Sequence, residues 1–181
     1  MFTQLGAAVI DTDQIARWLT ESGQPAMSAI RKQFGADYFL SDGKLDRPRL
    51  RRLVFADTDE KKRLEHILHP LIKEEVRRQL AGVQAPYAVI AIPLLLEIGD
   101  YRDLTQRVLV VDCTETQQVE RVMARSKLSE EEVRAIMANQ IGREERLRQA
   151  DDVCNNHGDL SALQGQIQQL HQKYRHLSAR N

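Results

Sequence analysis

The stretch Tyr87-Ala-Val-Ile-Ala-Ile-Pro93-Leu-Leu-Leu-Glu97 decides the fold class. Residues 87–92 carry Val and Ile without polar alternation, as expected of a strand covered on both faces, and Pro93 closes the run. A second such run, residues 108–111, ends at Asp112. Two weaker runs fit the same scheme: residues 7–10 end at Asp11, and residues 153–154 end at Asn155. Helix-length segments separate all four. Parallel strands need crossovers of that length, so the expected architecture is α/β with a parallel sheet.

Outward from these strands, one connection is far too long for a crossover. Between residues 13 and 82 no strand signal appears, whereas residues 28–34, 47–55 and 59–80 read as amphipathic helices. Pro48 lies near a helix start and Gly82 just past a helix end. Thr58 and Asp59 can cap the last helix. His69-Pro70 is expected to interrupt or kink it, because proline offers no amide hydrogen to the ladder. A helical subdomain over 14–82 is therefore expected, inserted into a core of residues 1–13 and 83–181.

Composition narrows the function classes. The 181 residues hold 26 Lys plus Arg and 26 Asp plus Glu, a formal net charge of zero. No bulk attraction to nucleic acid or to a membrane surface is expected, so any anion site must come from local clustering. Cys113 and Cys154 sit in or beside apolar runs and read as reduced core residues. No apolar stretch approaches the length of a membrane span, and the expected compartment is the cytoplasm.

Ligands of open α/β sheets gather at the carboxyl ends of strands. Three of the four runs end there in polar residues: Asp11-Thr-Asp13, Asp112, and Asn155-Asn-His-Gly158. Asp11 and Asp13 can share a face and hold a magnesium ion or accept a proton; equally, Asp13 can cap a helix starting at Gln14. Arg17, one turn later, can meet Asp13 or a substrate phosphate. A second cluster of arginines (121, 125, 134, 143, 146 and 148) is broken near Ser129, where Ser129 and Glu132 form a capping box. Two arginine-bearing helices can form a mobile lid over a nucleotide, since the planar guanidinium grips phosphate oxygens in pairs. They can also be solvated helices balanced by their own glutamates, the better account of Arg134 and Arg148. His69 marks either a ligand-facing kink or an ordinary helix surface, and no histidine has metal-site spacing.

Taken in order, these pieces resemble the dephospho-coenzyme A kinase family over nearly the whole chain. Phe2-x-x-Leu5-Gly6 and Val9-Ile10-Asp11-x-Asp13-x-x-x-Arg17 are similar to its opening pattern, with Thr12 where alanine is usual. Gly23, Pro25, Phe34-Gly35, Asp42-Gly43 and Leu45-Asp46-Arg47 fit its substrate subdomain, followed by Val54-Phe55 and His69-Pro70-Leu71-Ile72. Pro93-Leu-Leu-Leu-Glu97, the Arg121 and Arg125 pair, and Gln140-x-x-Arg143 match its later elements, as do Ala150-Asp-Asp-Val153 and Asn156-x-Gly158.

The resemblance implies a three-layer P-loop kinase-like fold with a helical substrate insert and an arginine-bearing lid over about 121–148. It implies transfer of the γ-phosphoryl group of ATP to the 3′-hydroxyl of dephospho-CoA, with Mg²⁺. Asp13 would orient or deprotonate the hydroxyl, with Asp11 supporting the metal or its waters. Arg121, Arg125 and Arg143 would close over the transferring phosphate. Arg17, His69, Leu95 and Glu97 would hold dephospho-CoA, and Asn156 and Gly158 would flank adenine. The expected partners are these two small molecules, in a monomer or weak homo-oligomer.

One departure stands out. Such kinases open with a strand and a G-x-x-x-x-G-K-S/T loop that wraps amides round the phosphates. No such motif occurs in these 181 residues, and Phe2, Leu5 and Gly6 match the end of the helix that follows it. The expectation is a fold lacking its first strand, with little kinase activity as written, and a start assigned too far downstream is the simplest cause. The competing readings are a catalytically dead binder of CoA-type ligands, a nucleoside monophosphate kinase, and a non-enzymatic interaction protein. His69-Pro-Leu-Ile72 speaks against the second.

Overall fold

A computed structural model describes residues 1–99 and 101–180. The chain divides into two compact units, one formed by residues 9–84 and 88–92, the other by residues 1–8, 85–87 and 93–181.

The helical unit holds strands β1 (Ala8–Asp11, its first residue excepted) and β2 (Ala88–Ala91), which pair. Its helices are α1 (Thr12–Leu19), α2 (Pro25–Phe34), α3 (Arg47–Ala56) and α4 (Thr58–Ala81). α4 is the spine, packing against α1, α2 and α3. The core is built from the apolar stripe of each helix: Ile15 and Leu19, Ala26 and Ile30, Leu50, Ile72 and Val76 are all buried. A small turn leads from α2 to α3, where Gly43 at φ 81° allows Leu40 and Lys44 to close on each other.

Two local expectations are corrected here. Asp57 caps α4, accepting from the amides of Asp59 and Glu60; Thr58 and Asp59 are already inside the helix. Nor does Pro70 interrupt α4, which runs unbroken from Thr58 to Ala81. A proline removes one ladder bond, a small loss in a helix of this length that packs against α1, α2 and α3.

The second unit holds β3 (Leu109–Asp112) and β4 (Asp152–Asn155), paired in parallel with Val111 opposite Cys154 and Asp112 opposite Asn155. Its helices are α5 (Leu95–Ile98), α6 (Glu115–Ser126), α7 (Glu130–Ala138), α8 (Arg143–Arg148) and α9 (Leu160–Ser178). α9 packs on β4, and α6 on α7. Val110, Val119, Val133, Cys154 and Ile167 are buried. Cover on both faces was expected of residues 108–111, yet Val111 is 59% exposed. The paired strands are buried here on the face of Val110 and Cys154.

An aromatic cluster closes this unit. Phe2 stacks on Tyr174 with centroids 6.3 Å apart, and Tyr87 meets His171 through a 2.8 Å hydrogen bond between its hydroxyl and Nδ1. The turn Thr3–Leu5 leads out of Phe2 and is closed by Gly6 at φ 91°, a left-handed conformation that suits glycine. Both cysteines are free. Among the described residues, no helix is long and apolar enough to cross a membrane.

Candidate functional site

One set of candidate residues, acidic, lies in the helical unit, where β1 runs into α1. Asp11 is the helix cap: its Oδ1 accepts from the amides of Asp13 (2.9 Å) and Gln14 (3.2 Å). The cap thus falls two residues earlier than the sequence suggested, and Asp13 stands in the first turn with an exposed side chain. A carboxylate in that position is favoured by the helix dipole. Asp11 holds the turn, which leaves Asp13 as the carboxylate not engaged in capping.

Two further contacts fix the turn. The buried Thr12 hydroxyl donates to the Ala91 carbonyl at 3.0 Å, tying the start of α1 to the end of β2. At the other end of α1, Arg47 Nη2 donates to the Arg17 carbonyl at 2.8 Å and the Thr20 carbonyl at 3.3 Å. Those carbonyls belong to the last turn of the helix, where acceptors are left over. The Arg17 guanidinium is exposed and makes no ion pair among the described residues. His69 is half-buried on α4.

A separate, cationic set lies in the second unit, at the carboxyl end of β3. Asp112, only 5% exposed, receives a two-pronged bond from Arg143: Nε to Oδ1 at 2.8 Å and Nη2 to Oδ2 at 2.6 Å. His157 Nε2 lies 3.2 Å from the same Oδ2. An ionised carboxylate can only accept, so His157 donates from Nε2. Arg143 holds the Asp112 carboxyl below the usual carboxylate range, burial pushes it upward, and His157 adds to the lowering.

Around this carboxylate the turn after β4 is pinned on all sides. The Asn156 amide donates to the Asp112 carbonyl at 2.7 Å, and Arg121 Nη2 to the Asn156 carbonyl at 2.9 Å. Gln117 Nε2 donates to the His157 carbonyl at 2.9 Å. Arg121, Arg143 and Asn156 are therefore joined in one network. Arg125 is exposed and unpaired among the described residues; Gly158 lies outside the network, where a Cβ would touch only Ala162 at 3.8 Å. Leu95 is half-buried on α5, and Glu97 Oε1 accepts from the Ile141 amide at 3.2 Å, just ahead of α8.

The remaining arginines divide as the sequence suggested. Arg134 pairs with Glu130 at 2.7 Å and Arg148 pairs with Glu145, both one turn away on their own helices. The capping box of Ser129 and Glu132 is complete in both directions. The lid segment, expected as two helices, holds three, with α8 carrying Arg143 at its first position. Sequence reasoning missed Asp112 as an anchor, His157 and Gln117, and no local signal marks them, because their partners are 31 to 45 residues away.

The chain matches the dephospho-CoA kinase family model over residues 1–162. The dephospho-CoA kinase of Nitrosospira multiformis is 53% identical over 174 residues, 96% of this chain and 87% of that protein. That of Methylococcus capsulatus is 48% identical, covering 99% of this chain and 90% of the relative. Among solved structures, TT1252 from Thermus thermophilus superposes with a TM-score of 0.79 at 31% identity, over 95% of this chain and 87% of that one. The dephospho-CoA kinase from Campylobacter jejuni gives a TM-score of 0.66 at 28% identity, over 94% and 88%. The α/β arrangement with its parallel strands and helical unit is accordingly that of a P-loop kinase-like fold, and this chain belongs to the dephospho-CoA kinase family.

Proposed function

We propose that the chain transfers the γ-phosphoryl group of ATP to the 3′-hydroxyl of dephospho-CoA, with Asp13 as the acceptor of the hydroxyl proton. The observation that carries this is the division of labour at the start of α1. Asp11 is engaged by two amides, whereas Asp13 is exposed and free of capping duty. In the transfer the 3′-oxygen bonds to the γ-phosphorus, the bond to the β,γ-bridging oxygen breaks, and ADP leaves with that electron pair. Asp13 takes the proton. Phosphoryl transfer demands little covalent chemistry of a protein and much positioning and charge neutralisation.

Hard carboxylate oxygens suit Mg²⁺, which takes one or two of them with substrate phosphates and water. Asp11 and Asp13 fit that need, since Oδ2 of Asp11 meets only the side-chain amide of Gln14 at a long 3.4 Å. Mg²⁺ when bound would neutralise phosphate charge. In this reading Arg121, Arg125 and Arg143 serve the phosphates, Asn156 and Gly158 the adenine, and Arg17, His69, Leu95 and Glu97 dephospho-CoA. The helical segment 14–82 is the substrate subdomain, residues 121–148 the lid, and the enzyme works in the cytoplasm as a monomer or weak homo-oligomer.

These 181 residues contain no G-x-x-x-x-G-K-S/T, so the amide cradle for the ATP phosphates is not among them. The test is a coupled assay of ADP release with dephospho-CoA. Little turnover is expected of the 181 residues alone, and ordinary turnover once a relative's glycine-rich loop precedes them. Ordinary turnover without the loop would overturn the dependence on it, and none with it would overturn the kinase reading.

A further inference from the structure

The turn after β4 is gripped by two side chains of α6, Gln117 and Arg121, which stand four residues apart and so on one face of the helix. Gln117 Nε2 donates to the His157 carbonyl at 2.9 Å, and Arg121 Nη2 to the Asn156 carbonyl at 2.9 Å. Gln117 is itself anchored, since its backbone amide donates to the Thr114 hydroxyl that caps α6, at 3.2 Å. Only the nitrogen end of a carboxamide can serve a carbonyl, so the bond to His157 fixes which way the side chain points. The oxygen end is then left over: Oε1 is buried and has no hydrogen-bond partner among the described residues. A buried acceptor without a donor costs stability, and an apolar side chain of similar shape would avoid that cost. Stability alone therefore does not account for a carboxamide at this position.

We propose that Gln117 is a positioning residue for the nucleotide base, acting through the backbone of residues 156–158. The proposal rests on the kinase reading above, in which Asn156 and Gly158 serve the adenine, and adds a residue that acts on the base only through that turn. Three successive peptide units are fixed here. The Asn156 amide donates to the Asp112 carbonyl at 2.7 Å, which sets the first; Arg121 sets the second through the Asn156 carbonyl. Gln117 sets the third through the His157 carbonyl, and that unit carries the Gly158 amide. In a trans peptide the N–H points opposite to the C=O. Drawing the His157 carbonyl onto α6 therefore aims the Gly158 N–H away from α6, and this exposed amide has no partner among the described residues. A fixed backbone donor of that kind suits a ring nitrogen of a purine, which can only accept. Without Gln117 the third unit is free to turn, and the donor loses its aim while the first two stay in place.

The test is an NMR titration of the 181-residue chain with adenosine, read on the amide shifts of residues 156–158. Adenosine carries no phosphate, so its binding does not call on a glycine-rich loop. Gln117→Met and Gln117→Leu remove the donor and keep an apolar side chain; should one of them not fold, the other carries the comparison. Each is expected to weaken adenosine roughly threefold to tenfold, the scale of one hydrogen bond, and to quicken amide exchange at Gly158. Their melting temperatures are expected at or above the parent's, because the unpaired acceptor leaves with the carboxamide. Gln118→Met removes the next carboxamide of α6, which makes no side-chain bond among the described residues, and is expected to change none of these. Lower melting temperatures in both apolar variants would make Gln117 a structural residue and overturn the proposal. Parent-like affinity in both, or an equal loss in Gln118→Met, would also overturn it. Adenosine that moves no amide at 156–158 in the parent would overturn the placement of the base there and the proposal with it, while ADP release reports on the kinase reading separately.

Discussion

The acidic and the cationic candidate residues, one set in each unit, are held by opposite means. Asp11, Asp13 and Arg17 share one strand-to-helix junction, and Asp11 bonds to amides two and three residues away. Arg121, Arg143 and His157 are held by partners 31 to 45 residues off, most of them through a single carboxylate, Asp112. A local cap forms with its helix and tolerates rearrangement elsewhere. A long-range network exists only when β3, β4, α6 and α8 are all in place. The acidic half should therefore fail residue by residue, and the cationic half as a block.

The largest effect expected separates chemistry from architecture. In a chain preceded by a strand and a G-x-x-x-x-G-K-S/T loop, Asp13→Asn is expected to lower turnover by roughly 10²–10⁴, the usual contribution of a positioned base. Its melting temperature and dephospho-CoA affinity should stay near the parent's, because Asp13 is exposed and caps nothing. A drop of less than threefold would remove Asp13 from the chemistry. A large fall in melting temperature would instead make it a structural residue.

Next in size is the collapse of the network. Asp112→Ala leaves Arg143 and His157 without their shared acceptor. The melting temperature should fall by roughly 3–6 °C, given how a chain of this size responds to loss of a buried partner. Amide exchange should quicken together at Asn156, at His157 and through the first turn of α8. Faster exchange confined to residue 112 would show that the contacts are independent, and the proposed contrast between the halves would fail.

This contrast also explains what the sequence could reveal. The strands near 88–91 and 109–112 were legible because runs of Val and Ile are a local property, the two weaker runs were placed by context, and observed strand ends lie within one residue or so of expectation. The three long helices of the insert were legible from their apolar stripes, Pro48 and Gly82. The capping box at Ser129 was legible because both members lie within four residues. Caps at Asp11 and Asp57 were placed late by one or two residues, since neighbouring Asp and Thr side chains compete for the same amides and the sequence does not rank them. Asp112 read as one polar strand end among several. Its role depends on Arg143 and His157 arriving from other elements, which no spacing rule encodes. The identity of the acidic and lid residues came from motif order, and their pairings from the fold.

A smaller effect tests the acidic half alone. Thr12 is buried and its hydroxyl reaches the Ala91 carbonyl. Thr12→Val keeps the shape and removes the bond, at a cost of about 1 kcal/mol. Thr12→Ala should cost more, by losing both the bond and the methyl packing. In both, faster exchange should appear at residues 12–14 and leave Asn156 and His157 untouched. Loosening of the 156–157 turn by Thr12→Val would mean that the two halves are coupled.

The smallest effect is in the response to acid. Asp112 titrates below its ordinary value of 3.8, chiefly through Arg143. Asp152 is pushed upward by burial, but the bonds from Lys173, Arg107 and Tyr174 outweigh that and leave it lowered too. A carboxyl whose folded pKa is depressed takes up more protons unfolded than folded in the interval between the two values. Its stabilisation is therefore complete above about pH 4 and is lost as pH falls through the depressed folded value. Both groups belong to the cationic unit, whose amides should lose protection at acid pH with a slope that Asp112→Asn and Asp152→Asn each flatten. Measured as melting temperature between pH 5 and pH 2, each variant should start lower than the parent and fall less steeply. Parallel curves would mean that the Arg143 fork is not closed in solution.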